Sequence, residues 1–223
     1  MLYAKVIQDS HEIHLKVRRV IAHEVTPYQE ILIADIEDQG KSLIMNNELQ
    51  SSERCYKEYH ENLVFWYKPH PSEHVLVLGS GEGVSINLLQ RRGWKNITGV
   101  DIDPQAVHLI DTHFSDWNES IYKRTNEWKF ICDDGLKVLK NTPDHTYEYI
   151  ILDLTSEAIK EEQQEWISEI FRCIKPGGLL SWQDGCKFSK SYLDITVREY
   201  FKSEIKYITT QDWRFGLAPK PLL

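Results

Sequence analysis

Residues 75–183 alternate short apolar runs with helical stretches, and this alternation constrains the fold more than any other feature. Strands alternating with helices build a parallel sheet covered by helices. Four successive runs also meet an acidic residue at or just past their carboxyl end. Val75-Leu76-Val77-Leu78 leads into Gly79-Ser80-Gly81-Glu82-Gly83, and Ile97-Thr98-Gly99-Val100 into Asp101-Ile102-Asp103-Pro104. Trp128-Lys129-Phe130-Ile131 leads into Cys132-Asp133-Asp134-Gly135, and Tyr149-Ile150-Ile151-Leu152 into Asp153. Open parallel sheets bind ligands outside the carboxyl ends of their strands. A row of carboxylates there favours a ligand carrying positive charge.

The rest of the chain fits around this unit. Residues 1–50 read as β: residues 11–25 alternate with period 2, with Ile13, Leu15 and Val17 on one side. Runs at 28–36 and 41–45 flank Glu37-Asp38-Gln39-Gly40, the signature of a hairpin. Residues 52–66 turn helical, with Tyr59, Leu63 and Trp66 on one stripe and Pro69 and Pro71 as a stop. Helices are expected at 84–92, 104–113, 136–140, 160–174 and 190–202, with a turn at Lys175-Pro176-Gly177-Gly178 and a strand at 179–183. Two last strands, near 205–209 and 213–218, are separated by only three residues. They must pair antiparallel, because a parallel crossover needs about a dozen residues. A parallel sheet closed by a C-terminal hairpin is the arrangement of S-adenosylmethionine-binding transferases. The expectation is an α/β, Rossmann-like seven-stranded methyltransferase-type sheet over residues 51–223, with a small N-terminal β-hairpin domain over 1–50.

Composition narrows the partners. The chain has 223 residues, and 26 Lys plus Arg face 34 Asp plus Glu, a net charge of −8. With no basic stripe or tail, nucleic acid is not an expected partner. Cys55, Cys132, Cys173 and Cys186 have neither C-x-x-C spacing nor a nearby His at zinc spacing. Cys132, in a strand, reads as a small buried hydrophobe. The first residues lack the apolar core of a signal peptide, and no apolar run approaches a membrane span. The expected location is the cytoplasm, with no membrane contact.

The turn after the first strand, with Gly79, Gly81 and Gly83, lets a ligand approach the backbone closely. Asp101 follows Gly79 by 22 residues, at the end of the next strand, where an acid binds both ribose hydroxyls. Together they point to a nucleoside. The turn lacks the Gly-Lys-Ser/Thr ending of a phosphate loop, and Glu82 would repel a pyrophosphate. At the third strand end, Asp133-Asp134-Gly135 suits an adenine amino group, with a helix N-cap as the alternative task for Asp134. The alternatives for the other polar residues stay open at this level. His60 fits a structural histidine, Tyr59 a core aromatic and Asp153 a cap or surface acid.

The chain resembles the polyamine aminopropyltransferases, the spermidine and spermine synthases. The resemblance rests on Tyr28-Gln29, Leu49-Gln50-Ser51-Ser52-Glu53, Tyr59-His60-Glu61, the glycine turn and Val100-Asp101-Ile102-Asp103. It continues through Asp133-Asp134-Gly135, Leu152-Asp153, Pro176-Gly177-Gly178, Gln183 and Trp213-Arg214-Phe215. It implies transfer of an aminopropyl group from decarboxylated S-adenosylmethionine to a di- or polyamine of the putrescine or spermidine class, without a metal. By resemblance Asp153 is the base for the acceptor amine. Tyr59, Gln183 and the position of Ser156 touch that amine. Gln29, Gln50, His60, Gly79, Gly81, Glu82, Asp101, Asp133, Asp134 and Gly135 line the donor. The family also implies a homodimer.

One position separates this pattern from methyltransferases. Those usually carry an acid two residues before the first glycine, where this chain has Val77, and here the acid is Glu82 inside the turn. A carboxylate there repels the carboxylate of S-adenosylmethionine and attracts the ammonium of the decarboxylated form. The family's usual residue is Asp. Other departures gather on the acceptor side. Asp153-Leu154-Thr155-Ser156-Glu157 replaces Asp-Ser-Ser-Asp-Pro, Cys55-Tyr56 replaces an acidic pair, and Ile208-Thr209-Thr210-Gln211 replaces Pro-Thr-Tyr-Pro. A small-molecule methyltransferase and a non-catalytic relative are therefore the competing expectations.

Overall fold

A computed structural model describes residues 2–8, 11–65, 69–70, 72–124, 128–186, 193–210 and 213–222, with the side chains of Gln8, Ser156, Glu157 and Cys186 outside that description. The chain divides into two compact units, Met1–Tyr59 and His60–Leu223.

The first unit is a five-stranded antiparallel sheet in sequential order: β1 (Leu2–Gln8), β2 (His11–Val25), β3 (Glu30–Ile36), β4 (Gly40–Met45) and β5 (Glu48–Ser52). The expected hairpin is β3–β4, in register from Ile31 opposite Met45 to Ile36 opposite Gly40. Its turn uses positive φ at Asp38 and Gly40, where Asp and Gly cost least. Alternation buries Ala4, Val6, Val17, Ala34, Ile36 and Ile44 together as this unit's core. Ile13 departs from the expected stripe and is exposed.

Helix α1 (Tyr56–Leu63) is shorter than expected. Residues 53–55 form a turn after β5, and the helix stops as Phe65 enters positive φ. Trp66 and Pro71 lie outside the described residues.

The second unit carries β6 (His74–Leu78), α2 (Val84–Arg91), β7 (Asn96–Asp101), α3 (Pro104–His113), a 3-10 turn (Ile121–Lys123), β8 (Lys129–Cys132) and α4 (Gly135–Lys140). It continues with β9 (Tyr147–Leu152), α5 (Ser156–Ile159), α6 (Gln163–Cys173), β10 (Ile174–Cys186), α7 (Asp194–Phe201), β11 (Lys206–Thr209) and β12 (Trp213–Pro219). Among the described residues these strands form one sheet of seven, in the order β11-β12-β10-β9-β6-β7-β8. The five strands from β10 to β8 are parallel, and β11 and β12 form the antiparallel C-terminal hairpin. The α/β, Rossmann-like expectation holds.

Boundaries shifted where backbone chemistry intervened. The helix expected over 160–174 is realised as α6, which starts three residues later at Gln163; the short α5 before it was not expected, and Ile174 already belongs to β10. The Lys-Pro-Gly-Gly turn lies within that strand, as a register shift between Ile174 and Leu179 with Gly177 at φ 78. Cys132 is exposed rather than buried. Its strand, β8, is last in the sheet order, so it has a neighbour on one side only.

Both faces of the central strands are buried, as in covered parallel sheets. Leu76, Leu78, Ile150, Leu152, Leu180 and Trp182 form one core with Leu136, Leu139, Trp166, Ile167, Ile170, Val197 and Phe201 of α4, α6 and α7. Each such fully buried side chain contributes about 1.5–3 kcal/mol of transfer free energy. On the other parity, Tyr149 donates to Val64 O (2.8 Å) and shares a hydrogen bond with Ser181 Oγ (2.8 Å). Among the described residues no helix is long and apolar enough to cross a membrane.

This strand order determines where a ligand can bind. The chain runs from β6 outward to β7 and β8, then returns to place β9 and β10 on the other side of β6. The switch point therefore lies between the carboxyl ends of β6 and β9, where such sheets open a crevice.

Candidate active site

Two chain segments meet at that crevice: the glycine turn after β6 and Asp153 after β9. Gly79 and Ser80 both donate their amides to Val100 O at 3.0 Å, and Asp153 donates its amide to Leu78 O at 2.8 Å. Gly79 has φ +83, and a Cβ on it would lie 2.0 Å from the Asp153 carbonyl oxygen. No side chain fits. Gly79→Ala should therefore force β6 and β9 apart at the switch point, on top of the strain of positive φ. The expected result is a loss of more than about 3 kcal/mol, read as a reduced chemical-denaturation midpoint or as no soluble protein. A midpoint matching the parent would contradict this packing.

Gly81 performs a different task. Its missing Cβ leaves room for Asp101, whose Oδ2 would be 2.9 Å from that carbon. The turn and the second-strand acid, 20 residues apart, thus form one surface. Asp101 is partly buried and accepts the Asp103 amide on Oδ1 at 3.1 Å. Burial raises its carboxyl to about 6, against the opposing hydrogen bonds of the Asp103 and Gly81 amides. Asp103 is itself buried and caps α3, accepting the amides of Gln105 and Ala106 at 3.1 Å, with Pro104 opening the helix.

The raised value has a stability consequence. From pH 3.8 to about 6 the folded chain holds the Asp101 proton more tightly than the unfolded chain does. Stability from this group falls across that window, and the penalty persists at every higher pH. Asp101→Asn should stabilise the protein at pH 7 by roughly 1–2 kcal/mol. It should give no gain below the window. A thermal melt series across pH reads the difference, and equal gains at acid and neutral pH would refute it.

His60, near the end of α1, is buried at 2 % exposure and lies between carboxylates from two strand ends. Its Nε2 is 3.3 Å from Glu82 Oε2, and its Nδ1 is 3.0 Å from Ser85 Oγ and 4.0 Å from Asp153 Oδ2. Burial alone would lower the imidazole's pKa. The hydrogen bond and charge of Glu82, then the charge of Asp153, outweigh it and hold the group above its ordinary value. Glu82 and Asp153 remain 19% and 15% exposed. They are oriented by the protein yet reachable from the crevice.

The other expected residues divide. Asp134 is the N-cap of α4, its Oδ1 accepting Leu136 N (2.7 Å) and Lys137 N (3.2 Å), so the capping alternative is realised. Both bonds use one oxygen. Asp133 forms an exposed pair with Lys137 (2.9 Å), which holds its carboxyl below the usual range. Gly135 begins α4 and packs against Trp166 and Leu78. Gln183 is partly buried in β10, opposite Phe215. Ser156 opens α5, and its side chain lies outside the described residues. Gln29, Gln50 and Tyr59 belong to the first unit: Gln29 closes a turn with Thr26, Gln50 is in β5 and Tyr59 is on α1.

Three contributors escaped the sequence reading. Ser85 bonds His60 from the first turn of α2. Asn118 donates to Glu82 O (3.0 Å), and Tyr122 donates to Ser80 O (2.7 Å) and Gly81 O (2.9 Å). No spacing rule marks them, because two of the three act on backbone carbonyls.

The arrangement is a crevice ringed by Glu82, Asp101 and Asp153, three carboxylates at the ends of β6, β7 and β9. It suits a ligand with a neutral hydroxylated part and a cationic part. The family model described as the spermine/spermidine synthase domain matches residues 53–211. A polyamine aminopropyltransferase of Sulfurisphaera tokodaii is 30% identical over 95% of this chain and 74% of its own length. One from Saccharolobus solfataricus is 32% identical over 91% and 72%. Among solved structures, a spermidine synthase in complex with the transition-state analogue AdoDATO superposes with a TM-score of 0.83 at 15% identity, covering 100% of this chain and 81% of that one. Spermidine synthase from Thermotoga maritima gives 0.81 at 15% identity, with the same coverage. With a family model spanning most of its length and a crevice ringed by strand-end carboxylates, the chain belongs to the spermine/spermidine synthase family of aminopropyltransferases.

Proposed function

We propose that the protein transfers the aminopropyl group of decarboxylated S-adenosylmethionine to a di- or polyamine, releasing 5′-methylthioadenosine. The observation that carries this reading is Glu82. It stands inside the nucleoside-binding turn, hydrogen-bonded to buried His60, while the position two residues before Gly79 is the apolar Val77. A carboxylate so placed selects an ammonium over a carboxylate at the far end of the donor.

In this mechanism Asp101, ionised above about pH 6, accepts the two ribose hydroxyls, with Gly81 giving the backbone room to approach. Asp134 offers its second oxygen to the adenine amino group. Glu82 holds the donor ammonium. The acceptor's nitrogen attacks the aminopropyl carbon next to sulfur. That C–S bond breaks, and the electron pair leaves with sulfur as the neutral thioether. Because the group departs from a sulfonium as a neutral thioether, the chemistry asks for no metal. What it asks for is a deprotonated amine aligned with the C–S bond. An alkyl ammonium with a pKa near ~10.4 is mostly charged at neutral pH. Asp153 orients the amine and takes its proton, and Gln183 supports it on the acceptor side.

The proposal extends to organisation. Residues 1–50 act as a small β domain and 51–223 as the catalytic domain. The working form is a cytoplasmic homodimer, on the family resemblance. The deciding experiment is incubation with decarboxylated S-adenosylmethionine and a panel of diamines and triamines, following methylthioadenosine by chromatography. Product with at least one amine is expected. No methylthioadenosine with any amine would leave a non-catalytic relative, and tighter calorimetric binding of S-adenosylmethionine than of its decarboxylated form would leave a methyltransferase.

A further inference from the structure

Residues 118–122, after α3, are packed against the glycine turn in a manner that the mechanism above does not use. Asn118 is fully buried. Its Nδ2 donates to Glu82 O at 3.0 Å while its Oδ1 accepts the Ile121 amide at 3.4 Å, so both ends of the amide are committed. Four residues on, the Tyr122 hydroxyl shares its single proton between Ser80 O (2.7 Å) and Gly81 O (2.9 Å). Burial holds this phenol well above its ordinary range, so it remains a donor. Its ring is fixed edge-on by Trp128 (5.5 Å) and Phe130 (5.8 Å). Trp128 in turn donates Nε1 to Ile121 O at 3.2 Å. The fit is close: a Cβ on Gly83 would lie 2.5 Å from Ile121 Cγ2 and 3.0 Å from Tyr122 Cε2.

Three consecutive carbonyls of the turn, those of residues 80, 81 and 82, are thus bound on the side of this segment. A peptide plane carries its N–H opposite its C=O. Fixing the carbonyl directions therefore fixes where the following amides point, and with them the direction in which Glu82 leaves the backbone. We infer that Asn118 and Tyr122 are positioning residues of the donor site: Tyr122 sets the part of the turn facing the nucleoside, and Asn118 sets Glu82. This inference rests on the proposed donor.

The test uses Tyr122→Phe, which keeps the ring packing and deletes only the hydroxyl, and Asn118→Leu, which is nearly isosteric and deletes only the amide. Calorimetry would measure affinity for decarboxylated S-adenosylmethionine and for 5′-methylthioadenosine, which lacks the ammonium. Tyr122→Phe should weaken both nucleosides by about three- to tenfold, the worth of one such hydrogen bond, with kcat within about twofold. Asn118→Leu should weaken the decarboxylated donor several-fold more than methylthioadenosine. Hydrogen exchange of the amides of residues 80–83 in ligand-free protein should be faster in both variants. That measurement stands even if the proposed donor fails to bind the parent protein, so the two readings fail separately. Affinities within twofold of the parent for both variants, or unchanged exchange at 80–83, would overturn the inference. If Asn118→Leu does not fold, Tyr122→Phe decides alone.

Discussion

Asp153→Asn should lower kcat by about 10²- to 10⁴-fold, the usual contribution of a positioned general base, and leave donor affinity within a few-fold. The side chain is 15% exposed at the switch point, and its anchoring bond, Asp153 N to Leu78 O, belongs to the backbone and survives the substitution. Asn can still orient an amine but cannot accept its proton. The defect should therefore depend on pH in a particular way. Parent enzyme draws its nucleophile from the ammonium through Asp153. The variant must wait for amine that is already neutral, a fraction that rises roughly tenfold per pH unit below the amine's pKa of about 10.4. Turnover of the variant should climb steeply from neutral to alkaline pH while the parent changes little. Stopped donor binding, in place of stopped turnover, would make Asp153 a donor residue. A flat pH profile in the variant would remove its role as base.

Glu82→Gln carries the second large effect, on selectivity more than on rate. Losing a charge-assisted bond to an ammonium costs about 1.5–3 kcal/mol, so affinity for decarboxylated S-adenosylmethionine should fall roughly ten- to a hundredfold. Affinity for S-adenosylmethionine should rise, because the carboxylate that repels its own carboxylate is gone. Methylthioadenosine, with neither group, serves as the control and should bind as before. The substitution also removes the leading cause that holds the His60 imidazole above its ordinary value. Burial then dominates, and His60 should titrate at lower pH, visible in its imidazole NMR resonances. An unchanged preference between the two donors would mean that Glu82 serves His60 alone.

How much of this was legible before the fold depends on the residue. Gly79, Gly81, Asp101 and Asp153 were legible because each is tied to the end of an apolar strand, and strand ends in a parallel sheet are where ligands bind. The His60–Glu82 contact was not, since the partners are 22 residues apart on different elements. The sequence suggested separate tasks for them, and the structure makes them one hydrogen-bonded unit. Asp134 was left between ligand and cap, and the α4 amides show that capping occupies one of its oxygens. Cys132 was misread because the pattern of a strand does not reveal whether it lies at an edge. Asn118 and Tyr122 left no trace in the pattern, as carbonyls can be satisfied by any donor that tertiary packing delivers.

By itself the sequence determined the alternation of strands and helices, the closing antiparallel hairpin and the identity of the strand-end acids. These follow from local rules: apolar periodicity, turn chemistry and the minimum length of a crossover. Tertiary structure decided the strand order, and with it the switch point that brings the β6 turn and Asp153 together. It also decided which carboxylates gather around His60 and which are spent on a cap or a lysine. Such choices depend on burial and on groups distant in sequence, because a carboxylate's partners are set by what packing brings within hydrogen-bond reach.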